Sequence, residues 1–234
     1  MRILKFCVFL LLSIGTILCG MILFENRNYY AISLLFVIYT LIMAFSKFDT
    51  KNFNVKKLVV MAVLIALAVA GRIGFSFLPQ FKPAVAIIII TAVCFGAEIG
   101  FMSGALTGLI SNFYFGQGPW TPWQMFCLGL IGLFAGLIFY GRKKQNIIVL
   151  CIYGIISAIV IYGGIMNPIS VMLFEPNINH KMIIGSYISG ISFDAVHAVS
   201  TVIFLVLLAK PMVRLIERIK VKYDLEGGKN EEVN

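Results

Sequence analysis

Asp194 and His197 stand three residues apart in an apolar run near the C-terminus, so a helix places them on one face. At membrane depth a lone charge is costly unless it is paired or hydrated. The pair is therefore a candidate to line a polar pocket, to carry a proton, or simply to satisfy each other. Ser103 lies in another apolar run and becomes nucleophilic only with an adjacent base, for which His197 is the candidate. Its setting, Gly100-Phe101-Met102-Ser103-Gly104, lacks the Gly-x-Ser-Gly context of intramembrane serine hydrolases and offers no convincing oxyanion hole.

A second constellation runs from Asn112 through Gly116-Gln117-Gly118-Pro119-Trp120-Thr121-Pro122-Trp123 to Gln124. Glycines and prolines fix a compact loop, while Asn112, Gln117 and Gln124 supply donors and acceptors without charge. Trp120 and Trp123 add broad apolar faces. That mix suits a neutral small molecule with polar edges, although an aromatic belt at headgroup level would also account for both tryptophans. The segment from Arg72 to Pro83 adds Phe81 and Lys82, and a third loop runs from Asn167 to Gly185 through Glu175 and His180. Together the three could form a lid, the third being the longest and the least constrained.

The elements that must hold these residues follow from composition. The chain has 234 residues, 60% hydrophobic and 12% charged, too few polar groups to coat a water-soluble globule. Apolar runs of roughly 20 residues, enough to cross a ~30 Å hydrocarbon core, recur from end to end. They predict eight transmembrane helices, near residues 6–24, 29–45, 58–78, 84–96, 99–115, 123–140, 147–166 and 183–209. The fourth is short, and Arg72 interrupts the third near its end. The N-terminus reads as an uncleaved anchor, because Thr16-Ile17-Leu18-Cys19 lacks the small residues that signal cleavage prefers. With an even count and the N-terminus inside, the inner segments collect every Lys and Arg except Arg27, Arg72, Lys82 and Lys181, as positive-inside loops require. Both termini are expected in the cytoplasm.

The net charge of +9 is explained by inner loops facing an anionic leaflet and needs no nucleic-acid partner. The five cysteines stand singly, without a neighbouring histidine or a Cys-x-x-Cys pair, so no metal site is expected. Beyond Pro211 the pattern of Met212, Leu215, Ile216 and Ile219 among charged residues suits an interfacial amphipathic helix, and residues 226–234 have a disordered composition. Small residues recur every fourth position at Ala62, Ala66, Ala70 and Gly74, and again at Gly96, Gly100, Gly104 and Gly108. Such stripes permit close helix approach. The glycine set reads as internal packing; the alanine set could face inward or toward a partner.

The stretch from Lys56 to Ala209 resembles the S components of energy-coupling factor (ECF) transporters, membrane proteins that bind a vitamin for an ATP-driven uptake complex. The resemblance rests on Ala62-x-x-x-Ala66, on Gln80-Phe81-Lys82-Pro83, on the proline-tryptophan segment 116–124, and on Phe193-Asp194-Ala195-Val196-His197-Ala198. It implies an all-α membrane fold: a six-helix substrate-binding core (56–209), preceded by a two-helix hairpin (1–50) and followed by a basic cytoplasmic tail (210–234). The implied vitamin pocket lies in the outer half, with Phe81, Lys82, Asn112, Gln117, Trp120, Trp123, Gln124, Asp194 and His197 as candidate contacts. Ala62, Ala66 and Ala70 are then expected to rest on a shared transmembrane coupling subunit that sits above two ATPase subunits. No Gly-x-x-x-x-Gly-Lys-Ser/Thr loop occurs in the chain, so the ATPase must belong to other chains. The proline-tryptophan variant is most similar to S components assigned to cobalamin or related corrinoids. The expectation is a vitamin-binding subunit in the cell membrane, with neither enzymatic activity nor a cofactor. The rivals are a self-sufficient transporter using Asp194 as proton carrier and a hydrolase using Ser103 with His197.

Overall fold

The computed structural model describes residues 55–142, 145–175 and 179–225, with Leu35, Ile38, Tyr39 and Ile42 from the N-terminal region. The expected hairpin within residues 1–50, apart from those four positions, and the end of the tail lie outside the described residues.

Among the described residues, six helices alternate in direction: α1 (Val55–Gly74), α2 (Ala84–Phe95), α3 (Ala97–Phe115), α4 (Thr121–Phe139), α5 (Ile147–Met172) and α6 (His180–Tyr223). No strand occurs among the described residues, as a lipid-facing backbone that must satisfy its own hydrogen bonds requires. Four of the helices, α1, α4, α5 and α6, are long and apolar enough to cross a membrane. The loops 75–83 and 116–120 lie together at one end of the bundle, called the upper end below.

Local chemistry sets the helix ends. Gly96, at φ 93°, turns the chain from α2 directly into α3, and Gly116, at φ 97°, ends α3, both in a region open mainly to glycine. Pro122 occupies the first turn of α4, where no hydrogen-bond donor is needed. The side chains of Asn146 and Asn179 cap α5 and α6 by accepting from Ile148 N and Met182 N, each at 2.9 Å. All twelve residues of α2 are buried, so this short helix is wrapped by protein and need not match the bilayer thickness.

The predicted glycine packing is present. A Cβ on Gly100 or Gly104 would run into backbone of α4 at Gly132 or Leu128, so α3 and α4 lie in backbone contact, as small-residue stripes allow. The core around them includes Phe101, Met125, Ile131 and Leu133, with Ile87 to Ile90 from α2. Tyr39 packs against the same α3 and α4 cluster.

Three elements differ from expectation, α5 among them: it runs on past Met166 to Met172, and with α6 starting at His180 the expected third loop from Asn167 to Gly185 shrinks to residues 173–179. The first core helix ends at Gly74, leaving residues 75–78 to the loop. The last helix does not stop near Ala209. It runs through Pro211 to Tyr223, 44 residues in all, or roughly 65 Å at 1.5 Å per residue. Proline withholds one hydrogen-bond donor, but beyond it Ile216 is buried and Met212, Val213 and Ile219 pack on the core. The amphipathic face of the tail therefore covers the lower end of its own bundle, and Leu215 alone of the four predicted apolar positions is exposed.

Candidate functional site

Arg72 ends α1 with its side chain turned into the bundle, only 8% exposed. One guanidinium nitrogen donates to the Ser111 hydroxyl of α3, which itself donates to the Gly108 carbonyl at 3.2 Å. The other donates to Gln124 Oε1 of α4 at 3.4 Å. Gln124 Oε1 also accepts from Asn112 Nδ2 at 2.9 Å, and Gln124 Nε2 donates to the Tyr162 hydroxyl at 3.3 Å. The Tyr162 ring meets the His197 imidazole edge-on, with centroids 4.9 Å apart. One polar cluster thus gathers side chains from α1, α3, α4, α5 and α6.

The geometry of α5 contributes to this. Residues Ser157–Gly163 form π-helical turns, an insertion that recurs at functional sites because it re-aims a side chain, and Tyr162 lies within it. The upper loop closes over the cluster. Asn112 Nδ2 also donates to Thr121 Oγ1 at 3.1 Å, and that oxygen accepts from Gly118 N at 3.2 Å. Ser200 of α6 donates to the Lys82 carbonyl at 3.0 Å, which pins the loop 75–83 next to the cluster.

The electrostatics are one-sided. The Lys82 ammonium lies 4.5 Å from the centre of the Phe115 ring and the Arg72 guanidinium 5.3 Å from the same centre. Among the described residues no carboxylate pairs with either cation. Burial, reinforced by the Arg72 charge, lowers the pKa of Lys82 to about 8.

Of the candidate contacts read from the sequence, Lys82, Asn112, Gln124 and His197 come together here. The others do not. Gln117 donates to the Leu109 carbonyl at 3.2 Å and so closes the turn after α3. Trp123 packs into the Phe101 cluster, while Trp120 lies against Phe174, centroids 6.2 Å apart. Phe81 packs at a tilt against Phe75 and Phe204 and lines an apolar groove of about 430 Å³ with Leu78, Pro79, Ser192, Phe193 and Val196. Asp194 and His197 do not satisfy each other: Asp194 accepts from Asn167 Nδ2 at 2.8 Å, whereas His197 faces Tyr162. Three residues along a helix leave a wide enough angle for each to meet a different part of α5.

Ser103 is buried without a hydrogen-bond partner, so it has no base at His197 and the nucleophile reading fails. Arg72, Ser111, Phe115 and Tyr162 were not among the candidate contacts. An arginine inside the last turn of an apolar span is itself a functional signal, and it was read only as a helix boundary. On the opposite surface of α1, Ala62, Ala66 and Ala70 are exposed alongside Val59, Val63 and Leu67, and a Cβ on Gly74 would meet nothing. The stripe is on the outside of the bundle.

Comparison with known proteins agrees with this architecture. A UPF0397 protein of Vibrio atlanticus is 32% identical over 91 residues, 37% of this chain and 50% of that protein. A UPF0397 protein of Aliivibrio salmonicida is 25% identical over 139 residues, 53% of this chain and 75% of that protein. The folate transporter FolT of Streptococcus mutans is 29% identical over 100 residues, 41% of this chain and 54% of the transporter. The chain thus spans about half the length of the Vibrio and Streptococcus relatives. Residues 52–212, from just before α1 to just past Pro211, match the family described as ECF-type riboflavin transporter, S component. This multi-pass membrane protein belongs to that family of S components, which are transporter binding subunits and not enzymes.

Proposed function

We propose that this chain captures a compact heteroaromatic vitamin, of flavin or pterin size, at its upper end for ATP-driven uptake by other subunits. The observation that carries this is the polar cluster of Arg72, Ser111, Asn112, Gln124, Tyr162 and His197, held inside apolar helices where polar groups are expensive and closed over by two loops. Hydrogen-bonding groups at that depth suit the polar edge of a heterocycle, and Phe115 offers a ring face beside them.

The vitamin class draws on the relatives. Riboflavin and folate are the vitamins named by the family and by the Streptococcus relative. The corrinoid alternative drew on the proline-tryptophan segment, but Trp123 and Gln117 of that segment are occupied in holding the fold. Less of it is left to surround a corrin.

Lys56, Lys57, Arg142, Arg214, Arg218, Lys220 and Lys222 lie toward the lower end, against Arg72, Lys82 and Lys181 toward the upper. That asymmetry supports a cytoplasmic lower end, with the site facing outward. A cysteine at Gln145 should then be shielded from impermeant reagents in intact cells, and one at Glu175 should react. The exposed alanine stripe of α1 is the proposed seat of the shared transmembrane subunit, with two ATPase subunits beneath it.

The test of the ligand reading is titration of the purified chain in detergent with riboflavin, folate and cobalamin, alongside mass spectrometry of any small molecule that copurifies. Saturable binding of riboflavin or folate, weakened by Gln124→Leu, is the expected result. Binding of cobalamin alone would return the corrinoid assignment.

A further inference from the structure

Resting on that reading of the site, we infer that the captured vitamin carries an anionic group, a carboxylate or phosphate, received between Arg72 and Lys82. Three observations lead there. Arg72 is buried, yet its two hydrogen bonds go to the neutral oxygens of Ser111 and Gln124. A buried guanidinium whose charge is not compensated is costly, and neutral acceptors compensate it only in part. Second, Lys82 approaches the same Phe115 ring as Arg72, so two like charges share one aromatic ring. Cation–π attraction offsets some of that repulsion, but an anion placed near both would relieve it entirely.

The third observation is the placement of the acidic residues. Among the described residues, Asp194 and Glu175 are the carboxylates nearest the upper end in sequence. Asp194 is held by Asn167, and Glu175 is exposed beyond the end of α5. Neither bonds to either cation. Glu98, Glu217 and Asp224 belong to the lower ends of α3 and α6. Among the described residues, positive charge is thus concentrated at the site and the acids lie elsewhere, the arrangement expected where the counter-ion arrives with the ligand. The lowered pKa of Lys82 fits the same picture.

The experiment uses matched probes that share a ring system and differ in charge: riboflavin against riboflavin 5′-phosphate, and folate against its dimethyl ester. Affinities are measured at pH 7 on the full chain in lipid nanodiscs lacking anionic lipid, for wild type, Arg72→Gln and Lys82→Met. The expected result is that the charged member of at least one pair binds tenfold or more tightly than its neutral partner. Both variants should cut that preference to within about threefold. Lys82→Met lies in a loop and keeps the aliphatic stem, so it reports even if Arg72→Gln destabilises the bundle.

Equal or tighter binding of the neutral member in both pairs overturns the anion inference and leaves the vitamin-binding reading intact. So does a preference for charge that survives in both variants. If anionic phospholipid added to the nanodiscs competes with the charged probe, the cations serve a lipid headgroup and the inference is again overturned. Failure of all four probes to bind sinks the vitamin reading together with the inference.

Discussion

Gln124 joins the halves of the polar cluster, since its one carbonyl oxygen receives both Arg72 and Asn112 while its amide reaches Tyr162. Gln124→Glu would set a carboxylate against Arg72 at the same position and supply internally the counter-ion that the ligand is proposed to bring. Such a hydrogen bond between charged groups contributes about 1.5–3 kcal/mol, so the variant should melt at higher temperature than wild type while binding an anionic probe about tenfold more weakly. Thermal denaturation and titration on the same preparation check both signs. Lys82 gives a pH test. Its ammonium faces Arg72 of α1 and Phe115 of α3, with His197 of α6 and Tyr162 of α5 in the cluster behind and Asp194 of α6 held apart by Asn167 of α5. With the free group titrating near 8, an anion raises the bound value. Affinity for riboflavin 5′-phosphate should then be full below about pH 8 and decline above it, by at most about tenfold per pH unit; the phosphate, with its second pKa near 6, does not titrate in that range. Lys82→Arg should flatten the profile. Asn112, Gln124, Lys82 and His197 were legible in the sequence because polar residues beside or within apolar runs stand out. The role of Arg72 was not, because its partners lie 39 and 52 positions away, and only tertiary packing makes them neighbours.

At the scale of elements, the apolar runs located all six described helices, because a lipid environment leaves the backbone few alternatives to a helix. The boundaries fared less well where the physics is not local. Pro211 would end an isolated helix, yet α6 continues past it because Ile216 and its neighbours have core surface to bury. The π-helical turns at Ser157–Gly163 have no sequence signature here beyond their outcome, the placement of Tyr162. The glycine stripe was legible and makes a sharp contrast with other glycines. A side chain on Gly104 would meet the Leu128 carbonyl and the next peptide, and backbone cannot yield as a side-chain tip can. Gly104→Leu should therefore cost about 3 kcal/mol or more through overpacking, enough to abolish a monodisperse peak in size-exclusion chromatography. Gly74→Ala, with nothing within reach, should change stability by no more than about 0.5 kcal/mol. If Gly104→Leu were tolerated, α3 and α4 would not be in the backbone contact described.

For the whole molecule, on the proposed reading, capture of a vitamin is half of uptake, and the other half is expected from contact with chains that bind ATP. The proposed reading assigns the two to different surfaces of α1. Its inner side carries Met61, Leu64, Ile65 and Val69 into the core, and at its upper end Arg72 reaches the site. Its outer side presents Ala62, Ala66 and Ala70, with Val59, Val63 and Leu67 exposed beside them. Apolar residues facing lipid need no partner, so hydrophobicity alone does not mark a docking surface. Small residues one turn apart do add something, since they let a second backbone approach closely and gain dispersion contact that a lipid tail does not match. Ala62 lies ten residues, roughly 15 Å along the axis, from Arg72, and about 80° around the helix from it, exposed where Arg72 is buried. Ala62→Trp and Ala66→Trp should thus leave the purified chain folded and its vitamin affinity within about twofold of wild type. The same variants should abolish uptake in cells and pull-down of the transmembrane coupling subunit, because an indole would hold the two backbones apart. Loss of vitamin binding in these variants would mean that α1 transmits strain to Arg72 and that capture and docking are not separable. Normal uptake would mean that the partner sits on another face, and α1 would then owe its alanines to lipid packing alone.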